Sequence, residues 1–224
     1  MELPAAAERS APALSPYQLS LVETLSIPLV AESGASVRWE SIFGRCSPLR
    51  VEIGVGNSEF LIQVALRDPQ FNYLGFEYSQ KRVTKFLKRV EERGLTSIRV
   101  IRDDVVPLLP VLFQPGSVDR VFVNFPDPWP KRRHAKNRFV QESNLRLLEP
   151  SLAPDGGLSL RTDSEAYARQ MLAVCDGLDW LENLAGPGNF TAAPREPFET
   201  AYERKYRLEG RRIHYLEYRR RKRA

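Results

Sequence analysis

From Leu49 onward, apolar positions recur with two periods in turn. "LRVEIGV" alternates as a strand does, and Leu61, Val64 and Ala65 then fall on one helical face, with Ser58 placed as the N-cap. "FNYLGFE" predicts a second strand. Val83, Phe86, Leu87 and Val90 follow as the stripe of an amphipathic helix that Gly94 is placed to stop. "SIRVIRDD" and "VDRVFVNF" predict strands three and four. A helix through roughly residues 138–149 leads to a fifth strand in "GGLSLRTD" and a further helix in "SEAYARQMLAVC". The late stretch "RRIHYLEYRR" reads as an antiparallel strand at the sheet's edge. Strand–helix alternation with short connections predicts an α/β fold, a mainly parallel sheet with helices on both faces.

Composition adds bounds to this pattern. A chain of 224 residues with 42% apolar content supports one well-buried domain and little more. The expected division is an N-terminal extension over residues 1–38 and one domain over 39–224. Residues 1–14 are rich in Ala and Pro, and Ser15-Pro16 is placed to start a short helix. Cys46 and Cys175 have no metal-ligand spacing, and only two histidines exist, so neither a metal site nor a disulfide framework is expected and a reducing cytoplasm fits. No apolar run approaches the roughly 20 residues that span a bilayer, and no signal peptide is recognisable. Monomer and homodimer both stay open.

Charge is more informative by place than by sum. The net charge is +5, yet Lys131, Arg132, Arg133, Lys136 and Arg138 form one basic run and residues 219–223 form another. Without these ten, 23 basic residues face 28 acidic ones. Basicity concentrated in two patches points to a polyanionic partner.

Acids, by contrast, collect at strand ends. In "VEIGVGNSEF", Glu52, Gly54 and Gly56 end the first strand, and Glu59 stands where a dinucleotide fingerprint would have its third glycine. Glu77 ends the second strand, 23 residues after Gly54, where a carboxylate typically meets ribose hydroxyls. Asp104 follows the third strand and is placed to face an adenine edge. Asp127 follows the fourth. Four acids around one crevice repel a phosphorylated cofactor and suit S-adenosyl-L-methionine, which carries a sulfonium, an ammonium, a ribose and an adenine but no phosphate.

After the fourth strand comes "NFPDPWPKRRHAKNRF". Three alternating prolines restrict the backbone, bias the residue before each toward extended geometry, and present Asp127 on a stiff loop against the basic run. With this loop the sequence resembles the bacterial tRNA (guanine-N7-)-methyltransferases. The resemblance is carried by "WESIFG", "VEIGVGNSEFL", "YLGFEY", "NFPDPWPKRRHAKNR", "LRTDSEAY" and, more loosely, "ETAYERK", in order over roughly residues 39–220. It implies a Rossmann-like class I methyltransferase fold and methylation of the guanine at position 46 in the tRNA variable loop. By the same resemblance Glu52, Gly54, Gly56, Glu77, Asp104 and Asp127 are the expected cofactor residues, with Asp127 also catalytic. Lys131, Asp163, Thr200, Tyr202 and Glu203 are the expected substrate contacts, and Arg133, His134, Lys136 and Arg138 the tRNA-binding run.

Two departures from the family's pattern stand out. Ala201 replaces a usual Lys or Arg, and Asp103 precedes Asp104 where glycine is common. The chemistry also constrains Asp127. Guanine N7 bears a lone pair and no proton, so no base is needed to create the nucleophile, and Asp127 is expected to act by orientation and charge. A methyltransferase for a small molecule or a protein, and an RNA-binding module without catalysis, are the competing readings.

Overall fold

The sheet grows outward from β1 (Leu49–Ile53), whose first four residues are buried. It takes in β2 (Asn72–Phe76), β3 (Ile98–Ile101), β4 (Val118–Asn124), β5 (Leu152–Thr162), β6 (Leu181–Asn183) and β7 (His214–Arg220). The computed structural model describes residues 37–222. The expected extension up to residue 36, its Ser15-capped helix and Arg223 therefore lie outside the described residues.

The strand order is β3-β2-β1-β4-β5-β7-β6. Neighbours pair in parallel from β3 to β5, whereas β7 runs antiparallel to both β5 and β6. The predicted edge strand is thus antiparallel but inserted, with the three-residue β6 outside it. So short a strand leaves no signal of its period.

Alternation sends side chains to two cores. Val121 and Val123 join a cluster that packs α1 (Trp39–Phe43), α4 (Val105–Leu112), α5 (Glu142–Leu148) and α6 (Glu165–Asp176). Phe122, between them, faces α2 (Phe60–Arg67) and α3 (Gln80–Glu92). A sheet covered on both faces explains why its central strands are buried along nearly their whole length.

Local expectations mostly hold, with informative exceptions. The N-cap of α2 is Glu59, with no side-chain bond, while the Ser58 hydroxyl accepts from the Phe60 N–H at 3.0 Å. The helix expected from about 138 begins at Glu142, because residues 132–137 wind as a 3₁₀ segment. Two helices had no clear periodic signal. In α4, Pro107 and Pro110 lie within eight residues, and α7 (Ala201–Leu208) is mostly polar.

Candidate active site

At the carboxyl ends of β1, β2 and β4 the sheet opens into a cavity of about 910 Å³. It lies where strand order reverses between β1 and β4, the usual place for a ligand in a doubly wound sheet. Gly54 (φ +83°) and Gly56 (φ +56°) take left-handed conformations that side chains resist. The turn they make sends the Gly54 and Val55 amides to the Phe76 carbonyl, at 2.9 and 3.0 Å. A Cβ on Gly54 would meet nothing within 4 Å, so this backbone borders open space.

Glu77 fixes the same turn from β2. One carboxylate oxygen accepts from the Gly56 N–H at 3.0 Å and the other from the Ser79 N–H at 2.9 Å. Asp104 lies beyond β3 and caps α4 by accepting from the Val106 N–H at 3.0 Å. Both acids line the cavity, as do Asp103, Asp127 and Asp163.

Glu52 is placed differently. It is fully buried beneath the crevice, and its Oε1 accepts from Asn124 Nδ2 at 2.8 Å. Burial pushes its carboxyl up to about 8, against the lowering effects of the Asn124 bond and of Arg161. Glu52 Oε2 and Asn124 Oδ1 have no partner, although both are buried. The orphaned Asn124 Oδ1 belongs to a residue that lines this acid-rich cavity, and it fits a cationic donor such as the ammonium of S-adenosyl-L-methionine better than a phosphate.

The proline loop forms the next wall. Phe125 (φ +50°) and Trp129 (φ +41°) both precede prolines and both take positive φ, which overturns the extended geometry expected of them. Such conformations cost of order 1–3 kcal/mol each and persist only where the surroundings impose them. The Phe125 N–H donates to the Arg161 carbonyl at 2.8 Å, and its ring packs against Tyr202 and Tyr206 at 6.4 and 5.7 Å between centroids. The loop presents Asp127 exposed between these two strained residues.

Helix α7 packs beside the loop, and its residues divide by face. Tyr202 and Tyr206, one turn apart, line the cavity, and Tyr202 lies over the Gly56 backbone. Thr200 and Glu203 are each 1% exposed and face inward. The Thr200 hydroxyl caps the helix by accepting from the Glu203 N–H at 3.0 Å. The Glu203 carboxylate pairs with Arg161 at 2.8 Å. Beyond the helix, Arg211 pairs with Asp163 at 2.8 Å and lies 4.7 Å over the Tyr206 ring.

The basic run flanks the cavity on its 3₁₀ segment. Lys131 and Arg133 are exposed outside it, and His134 meets Trp129 edge-on at 5.8 Å. Lys136 and Arg138 reach the lining. Tyr206 and Arg211 are cavity residues that sequence reasoning missed. The Tyr-x-x-x-Tyr spacing was the one available signal for Tyr206, hidden because α7 has no apolar stripe.

A methyltransferase family profile matches residues 46–216. A tRNA (guanine-N(7)-)-methyltransferase of Leifsonia xyli subsp. xyli is 44% identical over 187 residues, covering 84% of this chain and 82% of that protein. One of the same name from Alcanivorax borkumensis is 39% identical over 166 residues, covering 74% and 70%. Among solved structures, an rRNA methylase from Streptococcus thermophilus superposes with a TM-score of 0.53 at 12% identity, covering 95% of this chain and all of that one. TrmN from Thermus thermophilus gives 0.53 at 16% identity, covering 96% and 51%. These two likenesses concern the fold alone, which is that of Rossmann-like methyltransferases. The sequence relatives carry the closer conclusion: this chain belongs to the tRNA (guanine-N7-)-methyltransferase family.

Proposed function

We propose that this protein methylates N7 of a guanine in tRNA, at position 46 of the variable loop, using S-adenosyl-L-methionine. The observation that carries the reading is the shared cavity. A glycine turn, the orphaned Asn124 Oδ1, a stiff loop bearing Asp127 and an aromatic wall of Phe125, Tyr202 and Tyr206 border one space.

Bound S-adenosyl-L-methionine supplies an electrophilic methyl group on its sulfonium. Glu77, through the turn it braces, and Asp104 hold the nucleoside end. Asn124, which lines the cavity, receives the ammonium, and Glu52 holds Asn124 from beneath. The unpaired base stacks on the aromatic wall, as unstacked RNA bases commonly do. Asp127 and Asp163 are acceptors for the N–H donors of guanine, which fixes the face and tilt of the ring. As N7 becomes alkylated the ring gains positive charge, and the Asp127 carboxylate stabilises that charge where it develops. No proton leaves N7, so orientation and electrostatics account for the residue's part. Lys131, Arg133 and Lys136 meet phosphates of the RNA outside the cavity.

Incubating the protein with S-adenosyl-L-methionine and tRNA, then mapping N7-methylguanosine by borohydride–aniline cleavage, tests this. Cleavage at position 46 is expected. Methylation at another nucleotide, or none, overturns the corresponding part of the reading.

A further inference from the structure

Arg138 belongs by sequence to the basic run, yet its guanidinium does not face solvent as a phosphate contact would. Its Nε donates to the Pro128 carbonyl at 2.7 Å and its Nη2 to the Trp129 carbonyl at 3.2 Å. Its Nη1 donates to Gln170 Oε1 on α6, and its plane lies 4.8 Å over the Tyr167 ring on the same helix. Gln170 is itself held, donating to the Val140 carbonyl at 2.9 Å. The backbone of Arg138 is anchored too, its N–H donating to the Ala135 carbonyl and its carbonyl accepting from Gln141 Nε2. The planar fork therefore joins two successive loop carbonyls to a packed helix.

We propose that Arg138 is the positioning residue that locks the proline loop, and through it Asp127, in working geometry. This rests on the tRNA methyltransferase reading and assigns Arg138 a part different from phosphate binding. Three observations converge on it. The two carbonyls it holds follow Asp127 directly in the chain. One belongs to Trp129, whose positive φ ahead of a proline requires an external hold. And only a guanidinium offers donors in a fixed fork with this reach, so lysine cannot replace it. Lys136 is the contrast: it reaches the same cavity, and its side chain makes no hydrogen bond or ion pair with the described residues.

The test compares Arg138→Lys, Arg138→Ala and Gln170→Leu with Lys136→Ala, using the full chain. Single-turnover methylation of saturating tRNA and the salt dependence of tRNA binding are both measured. Arg138→Lys and Arg138→Ala are expected to slow the single-turnover rate at least tenfold, with tRNA affinity within about threefold and an unchanged salt slope. Gln170→Leu, which leaves every charge in place, should show a smaller loss of the same kind, and so guards against misfolding of the arginine variants. Lys136→Ala should weaken binding and flatten the slope by about 0.7–0.9. A wild-type rate in Arg138→Lys, or a flattened slope in Arg138→Ala, overturns the clamp. If the wild-type protein methylates no tRNA, the activity reading fails and the clamp is judged by hydrogen exchange. The Phe125 amide, bonded to the Arg161 carbonyl, should then exchange faster in Arg138→Lys; unchanged exchange overturns it.

Discussion

Arg161 on β5 and Glu203 on α7 form an ion pair at 2.8 Å with side chains only 2% and 1% exposed. The same guanidinium donates to the carbonyls of Phe198 and Glu196, and Glu203 also accepts from Arg207 at 3.0 Å and from the Tyr215 hydroxyl. The pair ties the helix that carries Tyr202 and Tyr206 to the strand that precedes Asp163. Glu203→Ala leaves Arg161 charged, buried and unpaired, which typically costs about 3–5 kcal/mol. Urea unfolding is expected to show a loss of that size. A loss under 1 kcal/mol would mean that solvent reaches the pair.

Asp127 is exposed in the loop. Asp127→Ala is expected to lower the methyl-transfer rate by roughly 10²–10³, the usual scale for losing one preorganised electrostatic contact. The affinity for tRNA and the unfolding midpoint should stay near the wild-type values. Loss of tRNA affinity with turnover retained on bound substrate contradicts the assignment.

Lys131, Arg133 and Lys136 present their charges beside the cavity. Neutralising all three is expected to weaken tRNA binding and to flatten the slope of log affinity against log salt by about 2–3, since each phosphate contact contributes roughly 0.7–0.9. Filter binding across a salt series measures it, and an unchanged slope places the RNA elsewhere.

Glu52 links stability to pH. Its carboxyl lies near 4.5 when unfolded and is pushed up to about 8 in the fold, so the folded protein binds the proton more tightly. The resulting stabilisation is full below about 4.5 and fades as pH rises through about 8. Glu52→Gln, neutral throughout, should remove this decline and be the more stable of the two at pH 8 in the absence of cofactor. Calorimetric titration should find its affinity for S-adenosyl-L-methionine reduced. Parallel urea midpoints for both proteins between pH 5 and 8 refute the linkage.

The strands, the glycine turn and the proline loop were legible because each is written in neighbouring residues. Period-two alternation marks β1 to β5, and a strand end followed by "GVG" needs a turn that only glycines allow. Helix α7 was legible only as a resemblance, since its stability comes from Thr200, Glu203 and Arg161 instead of an apolar stripe. The residues within one motif also separated: Tyr202 faces the cavity, while Thr200 and Glu203 hold the helix from behind.

By itself, then, the sequence determined the order of elements, the gathering of acids at strand ends and the place of the stiff loop, because local periodicity and proline geometry act over a few residues. Only the tertiary structure decided which charges face outward. Glu52 is sealed beneath the crevice and Arg138 turns back onto the loop, whereas Lys131 and Arg133 remain in solvent. A charged side chain's direction depends on which carbonyls and counter-charges the fold brings within reach, and those partners lie on other elements of the chain.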